Sequence, residues 1–81
     1  MNFNEGMTLS QAKRAFDLNR IKSVKVKTVK TANGTSYSIE IMDIIIARPL
    51  LNEKSEVKSY ASLEEAAQDY FLITNERLAI N

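Results

Sequence analysis

The chain contains no cysteine, no histidine and no tryptophan, and only two glycines and one proline. Without cysteine there is no disulfide, no thiolate nucleophile and no sulfur-ligated metal. Without histidine, the side chain that most often serves as general base or metal ligand near neutral pH is missing. Gly6 and Gly34 are isolated, so neither a phosphate-cradling loop nor a dinucleotide fingerprint can be built. Scarce glycine and proline leave few breaks, and the elements should be long. No apolar run approaches the roughly 18 residues of a membrane span, so no membrane partner is expected. The first residues carry no basic-then-apolar segment, which makes a cytoplasmic location the expectation.

What remains is an ordinary globular composition in 81 residues, with 44% apolar and 26% charged residues. That is enough for one hydrophobic core and too little for two, so residues 1–81 read as a single small domain. Catalytic resources are poor. A serine nucleophile finds no histidine base. The carboxylate pairs are explained by helix capping at Glu64–Glu65 and by solvation at Glu53–Glu56. No catalytic residue, metal, cofactor or small-molecule substrate is expected, and the protein reads as one that binds rather than reacts.

Residues 1–7 read as a loose leader. Thr8 followed three residues later by Gln11 has the form of a capping box, and Leu9, Ala12, Ala15 and Phe16 share a helical stripe. This predicts a helix from Leu9 to Leu18. From Ile21 to Thr31 the period changes to two, which predicts a strand. Asn33-Gly34 predicts a tight hairpin turn, and Ser36–Ala47 the returning strand, which Pro49 should end. With Ala32 facing Thr35, Lys30 faces Tyr37, Val26 faces Ile41 and Lys27 faces Glu40. One face then carries Val24, Val26, Thr28, Tyr37, Ile39 and Ile41, a core. The other carries Lys25, Lys27, Ser38 and Glu40 and is wet. Asp43 falls on the apolar face opposite Val24, which predicts a β-bulge near Met42–Asp43 or coverage of both faces. Val57–Tyr60 predicts a third short strand. Ser62 and Glu65 form a capping box for a second helix from Leu63 to at least Leu72, with Leu63, Ala66, Ala67, Tyr70, Phe71, Thr74 and Leu78 on its stripe. The fold class is α+β: a helix, a three-stranded antiparallel sheet with an Asn-Gly hairpin, and a C-terminal helix.

Charge is divided along the chain. Residues 1–31 hold seven cations (Lys13, Arg14, Arg20, Lys22, Lys25, Lys27 and Lys30) against two acids, while residues 32–81 hold four against eight. Either the basic half meets phosphate backbones or the two halves neutralise each other. The aromatic side chains are few. Phe16, Tyr70 and Phe71 read as core, which leaves Tyr37, beside Lys30, as the best stacking candidate. The apolar run Ile44, Ile45, Ile46, continued by Leu50 and Leu51, needs cover on two sides and reads as an oligomer interface, with a symmetric homodimer as the default.

Residues 8–24 have a passing likeness to a helix-turn-helix segment, but Val24-Lys25-Val26-Lys27 alternates as a strand where a recognition helix should continue. A second likeness covers residues 21–73. The basic strand, the Asn-Gly hairpin, a third strand and then the run from Lys58 through Tyr60, Ser62 and Glu65 to Ala66 resemble the arm-type DNA-binding modules of phage integrases. That resemblance implies a sheet face laid in the DNA major groove. Lys25 and Lys27 would face the DNA, and Leu63, Ala66, Ala67 and Tyr70 would back the sheet. An accessory protein of a phage or other mobile element would suit this size and chemistry. Two functions are therefore expected in competition. One is nucleic-acid binding through Lys13, Arg14, Arg20, Lys22, Lys25, Lys27, Lys30 and Tyr37. The other is self-assembly through Ile44–Leu51 with no nucleic-acid role.

Overall fold

The computed structural model describes residues 6–78, which form β1 (Met7–Thr8), α1 (Leu9–Asp17), β2 (Ile21–Thr31), β3 (Gly34–Asp43), β4 (Ala47–Leu51) and α2 (Leu63–Thr74). The class is α+β, but the sheet has four strands rather than three, in the order β1-β4-β3-β2. It is mixed rather than antiparallel, because β1 runs parallel to β4. Of the expected leader, residues 1–5 lie outside the described residues. Gly6 is buried and Met7 opens β1 opposite Leu50. A Cβ on Gly6 would sit 2.5 Å from Leu51 Cγ, so the chain passes there only because glycine has no side chain.

Local chemistry sets both helices. Gln11 N–H donates to Thr8 Oγ1 (3.3 Å) and Thr8 N–H donates to Gln11 Oε1 (3.0 Å), completing the expected capping box of α1. On α2, Ser62 Oγ accepts from Glu65 N–H, while the Glu65 carboxylate reaches one residue further back, to Ala61 N–H. Asn75, in the left-handed region at φ 61°, closes α2. Its buried stripe is Ala66, Ile73 and Thr74, with Tyr70 packed beside them. Phe71, expected in the core, is 44% exposed. The core stripe runs through Ile73 instead, two positions further along the helix.

The β2–β3 hairpin forms with its faces as read and its register shifted. Thr31 pairs with Gly34, Thr28 with Tyr37 and Val26 with Ile39, so Ala32 and Asn33 make the turn. The Thr31 hydroxyl accepts from Asn33 N–H (3.2 Å) and donates to Gly34 C=O (3.1 Å), and Gly34 at φ 134° supplies the conformation other residues resist. The shift moves each partner by two positions. Because side chains alternate with period two, the faces survive. The bulge also exists, but on the other strand. Ile21 pairs with Asp43 and Ser23 with Met42, so Lys22 is the extra residue.

The expected strand Ser36–Ala47 is two elements. Asp43 Oδ1 accepts from the N–H groups of Ile45 (2.7 Å) and Ile46 (2.8 Å), and Asp43 N–H donates to Ile46 C=O (3.1 Å). The carboxylate thus satisfies the turn's backbone, ends β3 and returns the chain as β4. Pro49 does not end a strand but sits within β4 opposite Glu40. It is tolerated because β1 reaches the far side of β4 only at Leu50 and Leu51. Val57–Tyr60 is not a strand. It makes two isolated bridges, Val57 to Leu51 and Tyr60 to Tyr37.

Both helices pack on one sheet face, over a core of Ala12, Ile39, Ile41, Leu50, Tyr60, Ala66 and Ile73. Tyr60 OH and Lys58 Nζ both donate to Asp69 Oδ2 at 2.6 Å, tying the 57–60 segment to α2. Burial, reinforced by the Asp69 carboxylate, pushes the Tyr60 phenol well above its usual range, so it stays a donor. No helix among the described residues is long and apolar enough to cross a membrane.

Candidate nucleic-acid interface

The two layers divide the basic residues. Lys13 and Arg14 lie exposed on α1, which belongs to the helix layer and packs on α2, β1 and β4. Lys25 and Lys27 alternate with the core residues Val24 and Val26, so they project from the uncovered face together with Ser36, Ser38, Glu40 and Met42. The α1 and β2 cations therefore do not form one face. Along β2, Arg20 just before it and Lys22, Lys25, Lys27 and Lys30 within it are all exposed, but they do not share one face: Lys25 and Lys27 project from the uncovered face, whereas Lys30, opposite Thr35, has the parity of Val26 and Thr28. Since β2 ends the strand order, these residues mark the open edge of the sheet.

Ion pairing does not neutralise the basic half. Among the described residues there are four salt bridges, and only Lys27–Glu40 (3.5 Å) joins the basic half to the acidic one. Lys13 pairs with Asp17, Arg48 with Asp43 and Lys58 with Asp69, each within its own half. Lys27 reaches Glu40 diagonally, because Lys25 is the residue directly opposite Glu40. Arg14, Arg20, Lys22, Lys25 and Lys30 make no ion pair among the described residues.

The aromatic residues lie elsewhere. Tyr37 stands opposite Thr28 and Lys30 opposite Thr35, so the two are diagonal neighbours of one face rather than the directly opposed pair expected, and Tyr37 packs against the core. The uncovered sheet face carries no aromatic side chain among the described residues.

The apolar run is broken up. Leu50 is fully buried inside the chain and Leu51 is half-buried, so Leu50 is withdrawn from any outer surface. Ile44 (79% exposed) and Ile45 (84%) stand at the tip of the β3–β4 turn, with Ile46 beside them. Around them a shallow depression is lined by Met7, Ala15, Arg20, Asp43 and Arg48.

Asp43 holds this tip in shape. Arg48 Nε donates to its Oδ2 at 2.8 Å, and the N–H groups of Ile46 and Ile45 donate to its other oxygen. These contacts lower its pKa from 3.8 to about 2. A folded pKa below the unfolded value means that the carboxylate stabilises the fold above about pH 4, and that this is lost as pH falls through about 2. Asp43→Asn keeps an oxygen for the turn and loses the charge. Circular-dichroism melting should therefore give a lower Tm than wild type at pH 7, and the gap should close between pH 4 and pH 2. A gap independent of pH would mean that the Asp43–Arg48 pair does not stabilise the fold.

Sequence reasoning passed over two Ser-x-x-Lys spacings, Ser10 to Lys13 and Ser55 to Lys58. Both lysines are engaged by carboxylates, Lys13 with Asp17 at 3.4 Å and Lys58 with Asp69 at 2.6 Å, so neither is aimed at its serine as a base. Among the described residues no cluster of three or more acidic side chains is placed to hold a metal. The chain matches no family model, no curated protein and no solved structure.

Proposed function

We propose that the protein is a non-enzymatic nucleic-acid-binding module, and that it meets duplex phosphates along the edge strand β2. The observation that carries this reading is the row Arg20, Lys22, Lys25, Lys27 and Lys30, in which only Lys27 has a carboxylate partner among the described residues. At about 3.3 Å per residue the row spans roughly 33 Å, close to one duplex turn. An open strand edge also offers backbone N–H groups to phosphate oxygens. Duplex is favoured over single strands because single-strand binding relies on aromatic stacking, and among the described residues the uncovered face beside β2 has no aromatic platform. The integrase-arm resemblance points the same way, with Lys25 and Lys27 in the same role; Glu40 then sits within the contact face as a partner to Lys27.

The test is fluorescence anisotropy of labelled duplex and single-stranded oligonucleotides titrated with the protein. With four phosphates neutralised, duplex affinity should fall roughly a hundredfold between about 50 and about 200 mM salt. No duplex binding at about 50 mM salt would overturn the proposal.

The second reading is a homodimer that assembles through Ile44, Ile45 and Ile46 without nucleic acid. Their exposure favours it. The loss of Leu50 to the core works against it, because a stable interface buries on the order of 800 Å² per partner and three side chains supply far less.

A further inference from the structure

Two isoleucines exposed at the tip of a turn are costly to keep in water, and the turn that carries them is braced at Ile45 and Ile46. Asp43 fixes Ile45 and Ile46 through their N–H groups and is itself fixed by Arg48. Arg20 lines the depression beside Ile44 and Ile45, and the bulged Lys22 lies next to the Ile21–Asp43 pair at the same end of the sheet. The result is a braced apolar point with cations at its base, next to the first cations of β2. We infer that the Ile44–Ile45 tip is a wedge that enters between base pairs of a bound duplex and kinks it, while Arg20 and Lys22 hold the flanking phosphates.

This inference rests on the nucleic-acid reading above and deepens it. The physical logic is that of apolar side chains pushed between base steps. Unstacking costs energy, the bend brings more phosphate against the protein, and kinks of about 20–90° result. A base step suits the tip because it is apolar, only two residues wide and rimmed by phosphates that match Arg20 and Lys22. A second copy of the chain suits it less. The apolar area is far too small for a stable dimer.

The experiment uses a duplex of about 25 base pairs with a central TA step, which is easily unstacked. It carries donor and acceptor dyes on its ends and, in a parallel sample, 2-aminopurine at the step. Wild-type protein should raise both the energy transfer and the 2-aminopurine fluorescence. The Ile44→Ser/Ile45→Ser double variant, altered only at exposed positions and compared at saturating protein, should still shift the duplex anisotropy through β2 and leave both signals at their free-duplex values. Binding by wild type with no change in either signal, or full bending by the double variant, overturns the wedge and leaves the nucleic-acid reading standing. Absence of duplex binding by wild type overturns that reading, and the wedge with it. Two other results also overturn the wedge. One is a doubled mass in solution that the double variant abolishes, which would assign the tip to a second copy. The other is co-sedimentation with phosphatidylserine vesicles that the double variant abolishes, without bending by wild type, which would assign it to a lipid surface.

Discussion

Replacing Lys22, Lys25 and Lys30 together with alanine is expected to lower duplex affinity about a thousandfold at about 50 mM salt, if each lysine neutralises one phosphate. The slope of log affinity against log salt should become shallower by roughly 0.9 for each phosphate left unneutralised, or about 2.7 in all. None of the three makes an ion pair among the described residues, and all are exposed, so the fold should be unaffected. Lys27 is left in place because it engages Glu40. The matching arginine triple variant should retain binding, since the effect is one of charge. Anisotropy titrations at several salt concentrations measure the slope, and thermal melting confirms the fold. Undiminished binding by the alanine variant would move the interface away from β2.

The largest effect on stability is expected at Ile41. Its side chain is fully buried between the sheet and the helices. Ile41→Ala should cost about 2–5 kcal/mol, from apolar surface no longer buried and from the cavity left behind. At about 0.05–0.15 kcal/mol per residue, the total stability of such a domain is only about 4–12 kcal/mol, so the variant should lose a large share of it. Ile45→Ala, four residues on, should change stability by less than about 0.5 kcal/mol, because that side chain is already in water. Urea unfolding of the two variants side by side gives both values. Equal destabilisation would mean that Ile45 is covered in solution.

Ile41 and Ile45 also mark where the sequence is readable. Ile39 and Ile41 alternate with Ser38 and Glu40, and that period alone assigns them to the core face. From Asp43 onward the period vanishes, and three consecutive isoleucines look alike on paper. What separates them is a carboxylate collecting two N–H groups. The clue is a charge misplaced on the apolar face, but the sequence does not say whether a bulge or a turn absorbs it. Both helix caps are legible because their partners lie three residues apart. β1 is not, since two residues carry no period and the pairing of Met7 with Leu50 spans about half the chain. That Lys25 and Lys27 share the uncovered face follows directly from alternation, which sets Lys30 on the other face. That Lys13 and Arg14 belong to another layer does not, because it depends on how α1 packs against α2.

The open flank of β2 has one more consequence. Two copies joined edge to edge, antiparallel about Val26, would set Lys25 against Lys27 and Lys22 against Lys30 across the new seam. Like charges directly opposite one another oppose pairing, and lysines along an exposed strand are a recognised guard against runaway sheet growth. The same side chains that invite a polyanion therefore keep the molecule from templating its own aggregation. In the absence of a polyanion, raising ionic strength weakens that guard, so this strand is where sheet-to-sheet association would begin in concentrated, salty solutions.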